Sequence, residues 1–394
     1  MLEEKLKQVY GIDKYGVNVP EWVDNIKIDF VKEIIGERLH EAKVWINNMN
    51  EVLNEAKEKL NIKGWLFSKE MTSFTKDPLA HLVKKLFIYF HDLIRGRIDV
   101  NTFISKGRQA VNSSFGSNMR SIYQTWGFVS ILLNLADYGF KIVYPEHHYL
   151  NFDRSGKQKS GIIPPNVIVE NIAGNSFSFF LEAPRPIAWE DGSDLEKVWK
   201  LYSTLRPDMM IYKGLVMNIV DLDNNQNIPI KRPNYIIEFK ELENWWKRWR
   251  YLKGHKPLNG NEWRARWIKG LYRGLIDVLR ELPKDLPEFK EDKGQRIKEY
   301  KIIELYRKVY DPDKSVVISR VKVDDEIKKE LSNIIMLDDV GFNPRNFNVL
   351  VEDMIENVKT NFEIKELAYR FAIERKQEFI EWLKSHGFSN ADIL

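Results

Sequence analysis

The chain changes period at Gly139. Before it, apolar residues recur at steps of three, four or seven, the spacing of one helix face. After it they gather into short runs of β-branched and aromatic residues, the composition of buried strands. A chain that switches in this way is set up for a layered α/β fold. From Phe30 to Leu60 there is no proline, and Val31, Ile35, Ala42, Trp45, Met49, Val52, Ala56 and Leu60 form one stripe. This predicts a single long amphipathic helix that ends at Lys63 and Gly64. Asp77 and Pro78 open a second helix, with the proline in the first turn where its missing N–H is harmless, and this helix runs to Gly96. The small polar segment Asn112 to Asn118 reads as a boundary. A third helix, Asn118 to Tyr138, carries two apolar stripes and is expected to be buried.

Strands are expected at Ile142 to Tyr144, Val167 to Val169, Phe177 to Leu181, Met209 to Tyr212, Leu215 to Val220 and Tyr235 to Phe239. Asp223-Asn224-Asn225 looks like the turn of a hairpin between residues 215 and 230. A helix follows from Asn261 to Leu282, then a strand from Ser315 to Val321, then helix again from Asp324, broken near Gly341 and Pro344. The organisation is therefore a helical region over 1–115, an α/β core with a mixed sheet over 116–322, and a helical, acidic region over 323–394.

The chain has no cysteine, which excludes disulfides, thiol nucleophiles, zinc fingers and iron–sulfur clusters. No run of about 18 apolar residues and no secretory pattern occurs, so a cytoplasmic protein without a membrane partner is expected. The formal net charge is +4. Its distribution says more than its total: residues 241–280 hold ten Lys or Arg against four acids, whereas residues 321–394 hold ten against fifteen. A basic middle beside an acidic end points to a polyanion contacted in one place. Asp221-x-Asp223-x-Asn225 begins like a calcium loop, but Gln226 and Arg232 stand where glycine and a bidentate glutamate are needed. His147-His148 has no partner at metal-site spacing. No phosphate-cradling Gly-Lys-Ser/Thr loop and no Gly-x-Ser-x-Gly elbow is present.

Two stretches carry chemistry: Leu205-Arg206-Pro207-Asp208-Met209-Met210-Ile211 and Tyr235-Ile236-Ile237-Glu238-Phe239-Lys240. Side chains alternate along a strand, so Glu238 and Lys240 share a face. An aspartate at the start of a neighbouring strand can project into the same space. Two carboxylates and one ammonium then converge at a sheet edge, which suits hydrolysis of a phosphodiester. Asp208, Glu238 and the backbone carbonyl of Phe239 offer the oxygens that Mg²⁺ (or Mn²⁺) prefers. Lys240 can orient a water and stabilise developing negative charge. A solvated strand end with a salt bridge would use the same residues.

Together these stretches resemble the PD-(D/E)xK superfamily of restriction-like nucleases, and within it the nuclease subunits of modification-dependent restriction systems. The likeness spans residues 118 to 321 and implies a restriction-endonuclease-like core and a metal-dependent DNA endonuclease of defence or repair. It also implies Asp208, Glu238 and Lys240 as cleavage residues. That branch has a helix with a Tyr-Glu-x-Trp signature; here it reads Tyr123-Gln124-Thr125-Trp126. Gln124 thus stands where the family often has a glutamate facing the metal. This leaves a weaker metal site, an acid supplied from elsewhere, such as Glu182, or a different alignment.

Tryptophans and basic residues interleave after the Glu-x-Lys strand. Lys247, Arg248 and Arg250 alternate with Trp245, Trp246 and Trp249, and on the following helix Arg266, Lys269 and Arg273 lie along one side. Positive charge neutralises phosphates and aromatic faces stack on unpaired bases, so these residues are the expected DNA surface. The competing readings are a nucleic-acid-binding protein on a degenerate nuclease fold, and a nuclease subunit that needs a separate motor or specificity partner. A homodimer would cut both strands of a duplex with two symmetry-related sites.

Overall fold

A computed structural model describes residues 2–12, 22–153, 163–183, 206–221, 230–251 and 296–358, together with Glu381 and Ser385. Among the described residues seven helices come first: α1 (Leu2–Val9), α2 (Trp22–Ile35), α3 (Arg38–Lys59), α4 (Lys69–Lys76), α5 (Pro78–Lys85), α6 (Phe87–Ile94) and α7 (Val100–Asp137). Strand β1 (Gly64–Leu66) lies between α3 and α4 and pairs in parallel with β3 (Tyr149–Asn151). The main sheet has seven strands in the order β11-β10-β7-β6-β5-β4-β2. Their ranges are β2 (Lys141–Tyr144), β4 (Val167–Glu170), β5 (Ser176–Leu181), β6 (Met209–Lys213), β7 (Tyr235–Lys240), β10 (Lys314–Ser319) and β11 (Ile335–Leu337). From β2 to β7 neighbours are antiparallel; β7, β10 and β11 run parallel. A separate ribbon pairs β8 (Trp249–Tyr251) with β9 (Arg296–Lys298). Helix α8 (Glu299–Tyr310) makes the crossover into β10, and α9 (Asp325–Glu330) precedes β11. The fold is mixed α/β, as expected from the sequence.

Helix α7 is the spine. Its second half is buried on nearly every side, from Ile122 through Leu135, because it lies between the N-terminal helices and the sheet. Gly127 lets it approach β7 closely: a Cβ there would lie 2.3 Å from Cε1 of Phe239. The side of β7 that carries Tyr235, Ile237 and Phe239 therefore joins one core with α7. The other side faces α8 and a second, smaller core of Trp245, Trp246, Tyr300, Ile303 and Val317.

Several expectations change. The helix expected over Phe30 to Leu60 is two, α2 and α3, because Gly36 takes a positive φ of 38° between them. The apolar stripe stays in phase across the break, which hides it. The helix opened by Asp77 is likewise two, α5 and α6, joined at Leu86; the Asp77 side chain does cap it by accepting from the amide of Ala80. Asn112 to Asn118, read as a boundary, lies inside α7. Its polar side chains turn back on the helix: Asn112 donates to the carbonyl of Arg108, and Ser117 and Asn118 donate to that of Ser114. Leu215 to Val220 is not a strand. Gly214, at φ 84°, ends β6, and among the described residues Val220 alone in this stretch forms a β-bridge, to Ile230. Residues 335–337, read as helical, form the edge strand β11. The helix expected over 261–282, with Arg266, Lys269 and Arg273, lies outside the described residues.

Candidate functional site

Strand register brings the two sequence stretches together. Met209 pairs with Ile237 across β6 and β7, so Asp208 stands opposite Glu238. Each then bonds to the other's strand: the Asp208 amide donates to Glu238 Oε1 at 3.0 Å, and the Phe239 amide donates to Asp208 Oδ2 at 2.9 Å. The amide of Phe239 points toward β6, and strand geometry turns its carbonyl to the same side, beyond the end of β6. Glu238 Oε2 accepts from Lys240 Nζ at 3.0 Å, as alternation along β7 requires. Glu238 and Lys240 are both buried.

Glu299 was not among the residues singled out from the sequence. This acid opens α8, is 3% exposed, and accepts from Lys240 Nζ at 3.1 Å. Arg250, on β8, reaches the same Glu299 oxygen at 3.1 Å. Arg250 thus turns inward to the carboxylates, while Lys247 and Arg248 remain exposed. A signal for Glu299 exists only in hindsight: it is an acid at the first turn of an amphipathic segment that follows a strand.

Electrostatics sets Glu238 and Glu299 apart. Burial and the nearby Asp208 charge raise Glu238 to about 7, against the opposing pull of Lys240. Burial also disfavours ionised Glu299, but Lys240 and Arg250 outweigh it and hold the group at about 2. Burial pulls Lys240 down, yet Glu238 and Glu299 raise it on balance, so it stays charged. One carboxylate here is strained by its charge and another is stabilised by it.

The two supplementary candidates behave differently. Glu182 follows β5, and its amide donates to the Asp208 carbonyl at 2.8 Å, which places it in one row with Asp208 and Glu238 across three strand ends. Its carboxylate pairs with Arg206 at 3.4 Å, and its φ of 46° takes it out of the strand. Gln124 is buried on α7, one turn before Gly127, and it is not among the hydrogen-bond partners of Asp208, Glu238 or Lys240. His147 is exposed, and the His148 ring bonds the carbonyl of Asn61. Trp245 and Trp246 are core residues, whereas Trp249 is 48% exposed under Lys298.

Among the described residues no three His, Asp or Glu side chains converge as a ready-made metal cage. The donor set fits a hard cation all the same. Burial and the neighbouring Asp208 charge raise the cost of ionising Glu238, which a cation relieves, and each carboxylate oxygen keeps a lone pair beyond the bond it accepts. Mg²⁺ commonly keeps several waters and needs only one or two carboxylates from protein. No helix among the described residues is long and apolar enough to cross a membrane. The chain matches no protein-family model, no curated protein and no solved structure.

Proposed function

We propose that the chain is a metal-dependent endonuclease acting on DNA, built on a restriction-endonuclease-like core. One observation carries the reading: Asp208 and Glu238, from separate sequence stretches, meet at adjacent strand ends with Lys240 bonded to Glu238. The order of elements supports it, since a buried helix, the strand that begins after Asp208 and the strand that carries Glu238 and Lys240 follow one another in a mixed sheet flanked by helices. Asp208, Glu238 and the Phe239 carbonyl would hold Mg²⁺ or Mn²⁺, which supplies Lewis acidity toward the phosphodiester and its attacking water. Lys240 stays protonated beside them and offers N–H donors to a water or a phosphate oxygen as negative charge develops. Burial of the cluster strengthens these interactions by lowering the local dielectric. Lys247 and Arg248, exposed beside the ribbon, would neutralise flanking phosphates.

The test is direct. Purified protein is incubated with supercoiled plasmid and with single-stranded DNA, in Mg²⁺, in Mn²⁺ and in EDTA. Cleavage that needs the metal and disappears in Asp208→Ala supports the reading. Binding without cleavage under every condition favours a nucleic-acid-binding protein on a degenerate nuclease fold, unless an added partner restores cleavage.

A further inference from the structure

Lys240 is held twice. Its ammonium lies 3.0 Å from Glu238 Oε2 and 3.1 Å from Glu299 Oε1. The two acids come from different elements, the end of β7 and the first turn of α8. We propose that Glu299 is the positioning residue of the site: it keeps the Lys240 ammonium in place when a cation occupies Glu238, and through Arg250 it fastens the basic ribbon to the same point. The proposal rests on the nuclease reading above.

The physical need is plain. Glu238 is asked to serve both a divalent cation and an ammonium. A dication repels the ammonium, and it draws on the lone pairs that Lys240 uses. Lysine has a flexible four-carbon stem, so an ammonium with one contested partner would leave its place. Glu299 lies outside the Asp208–Glu238 pair and provides an anchor that the cation does not contest.

Glu299 is itself fixed from several directions. Its amide donates to the carbonyl of Arg248 at 3.0 Å, which joins the start of α8 to β8. Further along α8, Tyr300 and Ile303 pack on Trp245 and Trp246, and the Tyr306 hydroxyl donates to the carbonyl of Arg206 at 3.3 Å. Helix α8 thus contacts both the segment leading to Asp208 and the segment following Lys240. A plain helix-end role would need none of this, since an acid in the first turn serves the dipole from the surface. Glu299 instead is buried, gathers both cations on Oε1, and leaves Oε2 buried without a hydrogen-bond partner among the described residues. That is a costly arrangement unless the two cations are what it is for.

The experiment compares wild type, Glu299→Gln, Lys240→Ala and the double variant. Two quantities are read: plasmid cleavage as kcat and KM in Mn²⁺, and thermal unfolding as a double-mutant cycle without metal. Glu299→Gln keeps the shape but removes the charge. It should lower kcat by about tenfold or more, with KM for DNA and the Mn²⁺ dependence little changed, because only the ammonium loses its position. Glu299→Asp, which restores the charge one methylene short, should recover part of that loss. In unfolding, the effects of Glu299→Gln and Lys240→Ala should be clearly non-additive. An unchanged kcat in Glu299→Gln overturns the proposal, and so does additivity in the unfolding cycle. If Glu299→Gln does not fold, Glu299→Ala takes its place in both measurements, with the same expectations and the same overturning results, and Glu299→Asp remains the partial rescue. If wild type cleaves nothing, the nuclease reading falls and the positioning role with it, while coupling in the unfolding cycle still shows whether Glu299 and Lys240 hold each other.

Discussion

One strand, β7, shows two kinds of protein on its two sides. Toward α7 it presents Tyr235, Ile237 and Phe239, packed with Tyr123, Trp126 and Phe342. Toward α8 it presents Glu238, which accepts from the Asp208 amide, and Lys240, which donates to both Glu238 and Glu299. Both sides are buried, yet the first is held mainly by packing, its one polar tip being the Tyr235 hydroxyl that donates to Asp353 at 2.9 Å. The second spends folding stability on charge, because removing ions from water costs several kcal/mol per ion unless each is well paired. A period of two thus separates a side that secures the fold from a side available for chemistry.

The first way to break this comparison is on the charged side. Asp208→Ala, Glu238→Ala and Lys240→Ala should each reduce metal-dependent cleavage by about 10²-fold or more, as loss of a group that acts on developing charge does elsewhere. Circular dichroism should still report a folded chain. If any one of these variants cuts plasmid at the wild-type rate, that residue has no part in the chemistry.

On the packed side the effect should be on stability. Phe239→Ala removes the ring that fills the space left by Gly127, and it should cost about 3–5 kcal/mol in denaturant unfolding. Gly127→Ala pushes a methyl group into that ring and should cost about 1–3 kcal/mol, reduced by alanine's better helix propensity. A neutral result for both would mean that α7 and β7 can separate without loss, contrary to the close approach seen here.

The charged side can be divided further by pH. Glu238 is raised from 4.5 to about 7, so the folded chain binds a proton that the unfolded chain has lost. Its contribution to stability is favourable below about 4.5 and falls as pH rises through about 7. Glu299 is lowered from 4.5 to about 2, so its contribution is present above 4.5 and is lost as pH falls toward 2. Metal-free unfolding at pH 8 should therefore find Glu238→Gln neutral or stabilised and Glu299→Gln destabilised. Changes of the same sign in both would show that these two carboxylates are not in opposed environments.

The sequence made much of the charged site legible, and less of what surrounds it. Asp208, Glu238 and Lys240 stand out because a polar residue at the end of an apolar strand breaks a local pattern. Strands β2, β4, β5, β6 and β7 were visible for the same reason, as compact runs of β-branched and aromatic residues. Gly36 was not, since a left-handed glycine can sit between two helices without shifting their apolar stripe. The helical state of 112–118 was hidden by serine and asparagine, whose side chains serve turns as readily as they bond back to the preceding turn. Strand β11 is three residues long, too short for a periodicity to register. Glu299 was missed because its meaning is entirely tertiary: nothing near it in sequence tells that Lys240, some sixty residues earlier, ends beside it.

The smallest expected effect concerns the rim, where exposed cations meet solvent. Lys247 and Arg248 are exposed and follow the buried pair Trp245 and Trp246, so their backbone is fixed while their heads remain in water. Such groups add affinity through counterion release and not through chemistry. The double variant Lys247→Ala/Arg248→Ala should bind DNA more weakly at low salt, with the slope of log K against log salt shallower by about two at most. Its cleavage rate at saturating DNA should stay near that of wild type, because Asp208, Glu238, Lys240 and Glu299 are untouched. Arg250→Ala is the informative contrast. Its guanidinium is bonded to buried Glu299, so its loss should disturb cleavage and stability more than the salt slope. If Arg250→Ala instead lowers the slope by about one and leaves the rate unchanged, Arg250 belongs with the rim cations, and the ribbon is tied to DNA and not to the carboxylates.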